Sequence, residues 1–471
     1  MNRKLVAVSL ACLILVAGSV SFEFLPALFR NSASKKGQAY LLDQPFASIW
    51  QKRYSGAPST VDLPCRNNFY TMTYLSNASS SSAKWNLLAI SLSSGNVTWS
   101  HVISLSGEWN TVPSLYAYSG NIFVIGYCSS LSIDNRSMGN GTFFFASGFN
   151  STTGRLADFV NKSAGRYFLE QPGSIQISFT SGLVIYAYTE LLGDVGIGAF
   201  SVVNGSGSVD WSGILSYGNG QSSYNGPVTM QANPHYIIIQ AWKVFAIDTG
   251  TGAVLFSLTY SSLDAVRYNF MDGQLLGNVF YFVQENRAYN GSTVYDLVGY
   301  ALQSRDISIN VTIGYTGIPE YPSGVEVAGN NIIAAAGFNG PLSAYGDMQA
   351  SYTVLSENGN ILWNSSKEKY SFGANNVIQS GHPLVSLSGN TLLLSSISAA
   401  SARGIVTQYF EKVNATSGSP IWTDMFMFHV SKGELQFVPP SLYIKPQVLI
   451  LASSGQHVIY SWNNTIGCAV L

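Results

Sequence analysis

The stretch Leu88-Ala-Ile-Ser-Leu-Ser-Ser-Gly95-Asn-Val-Thr-Trp99 decides the fold, because it is one copy of a pattern that recurs along the whole chain. In this pattern a strand-like run leads into a short polar turn that ends in glycine, and a bulky residue follows four positions later. The later copies are Gly154 with Asp158, Gly207 with Trp211, Gly252 with Phe256, Asp306 with Asn310, Gly359 with Trp363, Gly418 with Trp422, and Gly467 with Leu471. Copies spaced by 45 to 59 residues indicate a repeat architecture.

Two further markers run in phase with the glycine turn. A proline stands near the start of the first strand of most copies, where a strand does not need the missing N–H. These prolines are Pro58, Pro113, Pro172, Pro227, Pro322, Pro383 and Pro440. A short apolar run follows each of them, as in Asn121-Ile-Phe-Val-Ile-Gly-Tyr127, and such runs suit strands that are buried on both faces. Each copy therefore supplies four strands, and a four-stranded unit repeated radially is a propeller blade.

The chain ends where the last strand of the eighth copy is due to begin. Near the N-terminus, Phe46-Ala-Ser-Ile-Trp50-Gln-Lys-Arg-Tyr54 has the pattern of an isolated strand with its own tryptophan. We expect this strand to complete the last blade and close the ring, since an open ring exposes strand edges. The prediction is an all-β fold, an eight-bladed β-propeller of four-stranded blades over residues 46–471, with seven blades as the alternative.

The block Ala246-Ile-Asp-Thr-Gly-Thr-Gly252-Ala-Val-Leu-Phe256 resembles the PQQ-like repeat of quinoprotein alcohol dehydrogenases and their non-catalytic extracytoplasmic relatives. The resemblance extends over about residues 46 to 471. It implies the propeller fold, and it raises PQQ with calcium as a cofactor. The chain lacks the vicinal cysteine pair of many such enzymes, a recognisable calcium-binding set of Glu, Asn and Asp, and a Cys-X-X-Cys-His haem motif. The resemblance therefore favours the non-catalytic members of the family.

The low charge of the chain limits its partners. Charged residues make up 10% of the sequence, against about 25% in typical soluble domains, and the net charge is −1. No basic cluster is present, so a nucleic-acid partner is not expected. Acid unfolding largely reflects protonation of carboxylates, and this chain has only 24 acidic residues. We therefore hypothesise that the protein tolerates an acidic exterior.

The first thirty residues have the pattern of an export signal. Asn2-Arg3-Lys4 precede an apolar run from Leu5 to Ala17, which is the length of a cleaved secretory signal. Apolar residues resume from Phe22 to Phe29, so an uncleaved membrane anchor is the alternative. We interpret residues 1–30 as a signal peptide or N-terminal anchor and residues 31–45 as a linker. The body is then extracellular or on the cell surface, and it meets the membrane only through this segment.

Twelve Asn-X-Ser/Thr sequons fit an exported glycoprotein, although a chain so rich in Asn and Ser produces some of them by chance. They are Asn77, Asn96, Asn135, Asn140, Asn150, Asn161, Asn204, Asn290, Asn310, Asn364, Asn414 and Asn463.

The four cysteines give no metal-binding pattern. Cys12 lies in the apolar leader, and the absence of a CxxC or Cys/His cluster argues against zinc or another metal. Cys65 and Cys468 belong to the two blades that meet at ring closure, on the same predicted face. We hypothesise a Cys65–Cys468 disulfide that staples the ring, which leaves Cys128 unpaired.

No catalytic motif is recognisable. The histidines lie in different copies, and strand or turn positions account for each: His101, His235, His382, His429 and His457. There is no Gly-X-Ser-X-Gly elbow and no phosphate loop. Paired carboxylates contributed by separate blades stay open at this point.

The links between second and third strands are the candidate binding face. They are long in the second copy, Ser129 to Thr142, and in the sixth, Asn339 to Ala350. All such links lie on one face of a propeller, and loops held by a rigid scaffold are common binding sites. The polar candidates are Asp134, Arg136, Glu190, Asp194, Tyr345 and Asp347. Solvated insertions without a partner are the alternative.

These features predict an extracellular or cell-surface propeller scaffold that binds a protein or glycan partner of the cell envelope, without catalysis. The 27 tyrosines suit a saccharide surface, because aromatic faces bury large areas. One alternative is an exported quinoprotein-like oxidoreductase that uses PQQ with calcium. Another is a structural component of a surface layer or filament.

Overall fold

The computed structural model of the chain is all-β, with strands and no helix among the residues that it describes. The described residues are 40–43, 48–55, 57–65, 67–78, 82–106, 113–163, 175–189, 194–202, 209–216, 228–258, 274–287, 293–316, 325–328, 332–339, 349–356, 358–366, 376–379, 384–387, 390–400, 405–429, 436–438, 441–443, 449–454, 457–462 and 465–470. The region interpreted as a signal or anchor lies outside them. Part of the region interpreted as a linker forms strand β1 (Tyr40–Asp43).

The strands form successive four-stranded antiparallel meanders, in which each strand pairs with the one before it. The first meander has β3 (Ala57–Cys65), β4 (Asn68–Ala78), β5 (Ser82–Ser91) and β6 (Val97–Ser106). The second has β7 (Ser114–Tyr118), β8 (Asn121–Ile133), β9 (Arg136–Asn150) and β10 (Leu156–Ser163). The third has β11 (Ile175–Thr180), β12 (Leu183–Thr189), β13 (Val195–Ser201) and β14 (Val209–Leu215). The fourth has β15 (Thr229–Ala232), β16 (Tyr236–Gln240), β17 (Val244–Asp248) and β18 (Val254–Leu258).

The same order continues to the C-terminus. The next meanders are β19 (Gln274–Leu276), β20 (Val279–Arg287), β21 (Thr293–Ala301) and β22 (Asp306–Thr316), then β23 (Val325–Ala328), β24 (Ile332–Asn339), β25 (Gln349–Leu355) and β26 (Ile361–Ser366). They are followed by β28 (Leu384–Leu387), β29 (Thr391–Ala400), β30 (Ile405–Asn414) and β31 (Pro420–His429). β27 (Asn376–Gln379) also pairs with β29, β1 pairs with β31, and β32 (Gln436–Val438) pairs with β33 (Ser441–Tyr443).

The last meander joins the two ends of the chain. It consists of β34 (Leu449–Ser454), β35 (His457–Trp462), β36 (Thr465–Val470) and the N-terminal strand β2 (Ser48–Arg53). In the β2–β36 ladder, Trp50 lies opposite Cys468 and Arg53 opposite Thr465. The pairing predicted for the Phe46–Tyr54 strand is therefore present.

The first strands of consecutive meanders are neighbours in chain order. β3 contacts β7, β11 contacts β15, and the contacts continue through β19, β23 and β28 to β34. β7 and β11 meet through Tyr116, whose hydroxyl donates to the carbonyl of Ile177 at 3.2 Å. β34 in turn contacts β3, so the last meander lies beside the first. Meanders repeated radially with their first strands innermost form a β-propeller, and each meander is called a blade below.

The cores lie between blades, because the second and third strands are buried on both faces. On β4, Phe69 packs with Ile459 and Cys468 of the last blade, whereas the next residue, Tyr70, belongs to the cluster shared with the second blade. A further cluster joins the fourth and fifth blades and includes Ile238 and Phe280. The continuous apolar runs of the sequence have this physical origin.

The glycine turn builds the same joint between successive blades. The glycine of the next blade is covered by Trp50, Trp99, Trp211, Ile309 and Trp363. The indole N–H of each of these tryptophans donates to a carbonyl three residues before the glycine that it covers. These bonds are Trp50 to Leu92 at 2.7 Å, Trp99 to Ser151 at 3.1 Å, Trp211 to Thr249 at 2.9 Å and Trp363 to Ala415 at 2.7 Å. A β-carbon at Gly154 would lie 2.7 Å from the Trp99 ring, and the φ of Gly154 is 72°. Glycine satisfies both the turn and the contact.

A β-bulge precedes the bulky residue in the outer strand of each blade. The bulged residues are Ile49, Thr98, Ala157, Asp210, Leu255, Ser308, Leu362 and Ile421. A bulge re-aims the following side chain and increases the strand twist, so it directs the bulky residue toward the next blade. It also makes the outer edge of the blade a poorer template for pairing with another chain.

The repeat predicted from sequence was misaligned in two copies. In the fifth, Arg305 takes the glycine position with a φ of 62°, and Ile309 covers Gly359, so Asp306 and Asn310 do not hold these positions. In the eighth, Gly467 lies inside β36, and the bulky residue of that blade is Trp50 rather than Leu471. β33, which follows Pro440, pairs with β32 outside the last blade.

Candidate functional site

The long link of the second blade is a β-hairpin, which corrects its assignment as a loop. β8 and β9 run on to a two-residue turn at Asp134 and Asn135, whose φ values are 48° and 66°. Positive φ at both positions is typical of a type I′ turn, which matches the right-handed twist of a hairpin. Asx residues tolerate this conformation better than most others.

The hairpin folds back over the outer edge of the first blade. β8 pairs with β6 in antiparallel register, with Ile133 opposite Ile103 and Ser130 opposite Ser106. The extension therefore supplies hydrogen-bond partners for the backbone groups at the edge of β6 and covers that edge. Asp134 and Arg136, which we predicted among the loops of one face, lie at this outer edge because the hairpin pairs with β6 and does not project from the face.

Asp134 and His101 form the polar centre of the hairpin contact. The Oδ2 atom of Asp134 lies 2.6 Å from Nδ1 of His101, and its Oδ1 accepts a hydrogen bond of 2.9 Å from the backbone N–H of Val102. The other ring nitrogen of His101, Nε2, lies 2.6 Å from the carbonyl oxygen of Gly154. One histidine thus joins the outer strand of the first blade to the hairpin tip and to the glycine turn of the second blade.

The pKa of Asp134 is lowered in this setting. Partial burial raises it, but the hydrogen bonds from His101 and Val102 and the positive charges of His101 and Arg136 together outweigh that effect. Asp134 is half exposed, whereas His101 is 19% exposed. The carboxylate is therefore held ionised by its partners in the fold.

The other predicted face residues are placed only in part. Asp194 directly precedes β13 of the third blade. Glu190, Tyr345 and Asp347 lie outside the described residues. The structure thus brings Asp134 and Arg136 together against the first blade and places Asp194 in a different blade.

The sequons divide by their surroundings. Five asparagines have exposed side chains, namely Asn96, Asn135, Asn161, Asn310 and Asn364. Asn150 and Asn414 are half-buried in glycine turns. In each, Oδ1 accepts hydrogen bonds of 2.9 to 3.1 Å from the backbone N–H groups of the residues two and three positions later in the chain. Asn77 and Asn140 lie in strands, and their side chains are outside the described part of the chain, as are Asn204, Asn290 and Asn463.

The described cysteines are buried thiols. Burial raises the pKa of Cys128 to about 12 and that of Cys468 to about 11, which disfavours the reactive thiolate. Cys468 is a free thiol in the structure, and the side chain of Cys65 lies outside the described residues. The Cys65–Cys468 disulfide stays a prediction.

The described residues contain no cluster of metal-ligating side chains. Within them, no three His, Cys, Asp or Glu side chains cluster as metal ligands do. The same residues contain no helix that is long and apolar enough to cross a bilayer.

The pairing of His101 with Asp134 had no signal in the sequence. The two residues are 33 positions apart, in different copies of the repeat. The turn at Asp134-Asn135 has the composition of a tight hairpin turn, and this signal could have replaced the loop interpretation. The fold-back of the hairpin onto β6 depends on tertiary contacts.

No protein-family pattern and no curated relative matches the sequence. Similar solved structures include Sqt1 of Saccharomyces cerevisiae, with a TM-score of 0.46, 12% identity, and coverage of 91% of this chain and 100% of that one. They also include a europium-containing methanol dehydrogenase, with a TM-score of 0.43, 10% identity, and coverage of 80% of both chains. A third similar structure is the WD40 domain of SCAP from fission yeast, with a TM-score of 0.44 and 8% identity. The match covers 89% of this chain and 98% of the WD40 domain. At this level of likeness the three structures indicate nothing about the function of this chain.

Proposed function

We propose that the chain is an eight-bladed propeller of PQQ-like repeats that acts outside the cell membrane as a non-catalytic binding scaffold. Its partner is a protein or glycan of the cell envelope. The observation that carries this proposal is the recurrent joint, in which Trp50, Trp99, Trp211 and Trp363 each cover a glycine of the next blade and donate to its turn. A ring held in this way is a rigid frame on which loops are displayed.

The chemistry of the described side chains supports a scaffold. His101 and Asp134 hold a hairpin, and both described cysteines are buried with raised pKa values. A catalytic thiol or acid–base pair instead requires access to substrate. His101 and Asp134 thus serve interactions within the fold.

The proposed binding face consists of the links between second and third strands, except that of the second blade. Its polar residues are Glu190, Asp194, Tyr345 and Asp347. Asp134 and Arg136 are left out because their hairpin covers the edge of β6. The low charge of the chain as a whole and its 27 tyrosines suit a neutral saccharide or a protein surface as the partner.

An extracellular position is supported by the apolar leader and the exposed sequons. We expect glycans at exposed asparagines such as Asn135, Asn161 and Asn310, and none at Asn150 or Asn414, whose side chains form turns. Glycopeptide mass spectrometry of protein from its native envelope tests this distribution. Unmodified peptides at all exposed sites would contradict the glycoprotein interpretation.

Cross-linking mass spectrometry on the native envelope, with the full chain as bait, tests the scaffold function. We expect a reproducible partner linked to the face that carries Asp194, and loss of these links in Asp194→Ala. The matched control is Arg155→Ala in the glycine turn of the second blade, on the opposite face of the propeller. Self-links alone would contradict the proposal and favour a surface-layer component. Dye reduction after addition of PQQ and calcium would contradict it in favour of an oxidoreductase.

A further inference from the structure

His101 has a hydrogen-bond acceptor on each side of its ring. Nδ1 lies 2.6 Å from Oδ2 of Asp134, and Nε2 lies 2.6 Å from the carbonyl oxygen of Gly154. An ionised carboxylate and a peptide carbonyl can only accept, so both ring nitrogens must donate. Only the protonated imidazolium has a hydrogen on both nitrogens. A neutral ring would leave two lone pairs facing each other at one of the two contacts.

The ring is held in place by its neighbours. The Trp99 ring centre is 5.6 Å away and the Phe149 ring centre 4.8 Å, and the residue opposite His101 on β5 is Leu87. The acidic group at the ring is Asp134 on the hairpin turn. The basic groups on the surrounding segments are Arg136, at the start of β9, and Arg155, after Gly154, and both are exposed. The tight aromatic setting leaves the ring little freedom to escape an unfavourable contact by rotating.

We propose that protonated His101 is a pH-controlled latch that ties the tip of the β8–β9 hairpin to the outer edge of the first blade. With the proton in place, the ring bonds the hairpin tip through Asp134 and the next blade through Gly154. When the ring loses the proton, one of the two bonds is lost and the tip is held less tightly, while the backbone pairing of β8 with β6 remains. This inference concerns the fold and is independent of the proposed binding function.

The latch works within a pH window with two limits. It needs a hydrogen on each ring nitrogen, since the imidazolium is the form that satisfies both acceptors. At the acid end the latch is lost as the pH falls through the lowered pKa of Asp134, because protonation removes the negative charge of the carboxylate to which the ring donates. The lowered pKa extends the window toward acid, in agreement with the acid tolerance hypothesised from composition.

Hydrogen–deuterium exchange of the full chain tests the latch. Protection of peptides that cover β6 and the hairpin is measured from acidic to alkaline pH, corrected for intrinsic exchange, in the native protein and in His101→Gln. At acidic pH we expect the variant to lose about threefold to tenfold in protection at this ladder, as for one lost charge-assisted hydrogen bond that is partly screened by solvent. At alkaline pH the two proteins should agree. His235→Gln, at an exposed histidine of the fourth blade, is the matched control and should behave as the native protein.

A second variant keeps the test decisive if His101→Gln fails to fold. Asp134→Asn retains an oxygen for the N–H of Val102 and suits the positive φ of the turn, but removes the negative charge. We expect it to reduce protection at acidic pH and to weaken the pH dependence. A ladder whose protection does not change with pH in the native protein would overturn the latch. So would an equal difference between the native protein and His101→Gln at every pH.

Discussion

The indole of Trp50, on the N-terminal strand β2, covers Gly95 in the turn between β5 and β6. A β-carbon at residue 95 would lie 2.6 Å from Cδ2 of Trp50, and the indole N–H donates to the carbonyl of Leu92 at 2.7 Å. Tyr54 adds a bond of 2.7 Å from its hydroxyl to the carbonyl of Gly95. The last blade is thus joined to the first by the same contact that joins the blades within the ring.

Replacing Gly95 with alanine should weaken the joint at ring closure. Gly95 has a φ of 66°, and the new methyl group would collide with the indole, so we expect the free energy of unfolding to fall by about 2–4 kcal/mol. Gly120→Ala is the matched control, because its φ is 77° and nothing lies within 4 Å of the added carbon. It should cost only about 1–2 kcal/mol, the backbone part of the effect. Equal losses in urea unfolding would show that the indole contact contributes nothing.

Removing strand β2 should open the last blade. A chain that begins at residue 56 leaves the β36 edge unpaired and uncovers the cluster of Phe69, Ile459 and Cys468. We expect a lower melting temperature and aggregation, because exposed strand edges template pairing with other chains. A chain that begins at residue 44 loses β1, and with it the short pairing to β31, but it keeps β2, so its melting temperature should fall less. Similar melting temperatures for the two truncations would contradict the assigned closure.

The buried thiols should be unreactive until the protein unfolds. Burial raises the pKa of Cys128 to about 12 and of Cys468 to about 11, so neither forms much thiolate near pH 8. We expect alkylation with iodoacetamide to leave both unmodified in the native state and to modify both after denaturation without reductant. Peptide mapping reads each site separately. If Cys468 needs reductant as well as denaturant, the hypothesised disulfide with Cys65 is present.

The glycine turn of the fourth blade should be sensitive to acid. Asp248 accepts hydrogen bonds of 2.8 Å from the N–H and 2.7 Å from the hydroxyl of Thr251, and these bonds to the side chain and backbone lower its pKa. A carboxylate with a depressed pKa contributes stability above its unfolded pKa, and this contribution is lost as the pH falls through the folded pKa. Asp248→Ala should therefore lower the urea midpoint at neutral pH and have less effect at acidic pH.

Asp248→Asn is the control for that prediction. The amide keeps an acceptor oxygen, as Asn150 and Asn414 do at the same position of their turns, and it does not titrate. We expect it to retain most of the stability at neutral pH and to remove the acid-dependent part. If Asp248→Ala loses the same stability at pH 3 and pH 7, the turn does not depend on the ionised carboxylate.

For the hairpin of the second blade, the sequence predicts the polar residues of the tip but not their position in the fold. The residues Asp134, Asn135 and Arg136 were recognised as polar and exposed, and they are close together in the structure. Their assignment to a loop on one face was wrong, since β8 and β9 continue to the turn and pair with β6. No sequence pattern links the edge strand β6 of the first blade to the hairpin of the second blade. Only the tertiary structure therefore reveals that they pair.

The sequence by itself determined the all-β meanders and the position of their turns, because strand runs, glycines with positive φ and bulky residues at a set distance are local requirements. It also predicted that the strand around Trp50 pairs with the C-terminal strand. Tertiary structure alone decided that Arg305 can replace a glycine, that Ile309 rather than Asn310 covers Gly359, and that His101 meets Asp134. In each case a contact between neighbouring blades stabilises the observed arrangement. Such contacts depend on bulges and strand extensions that bring together residues from different repeats.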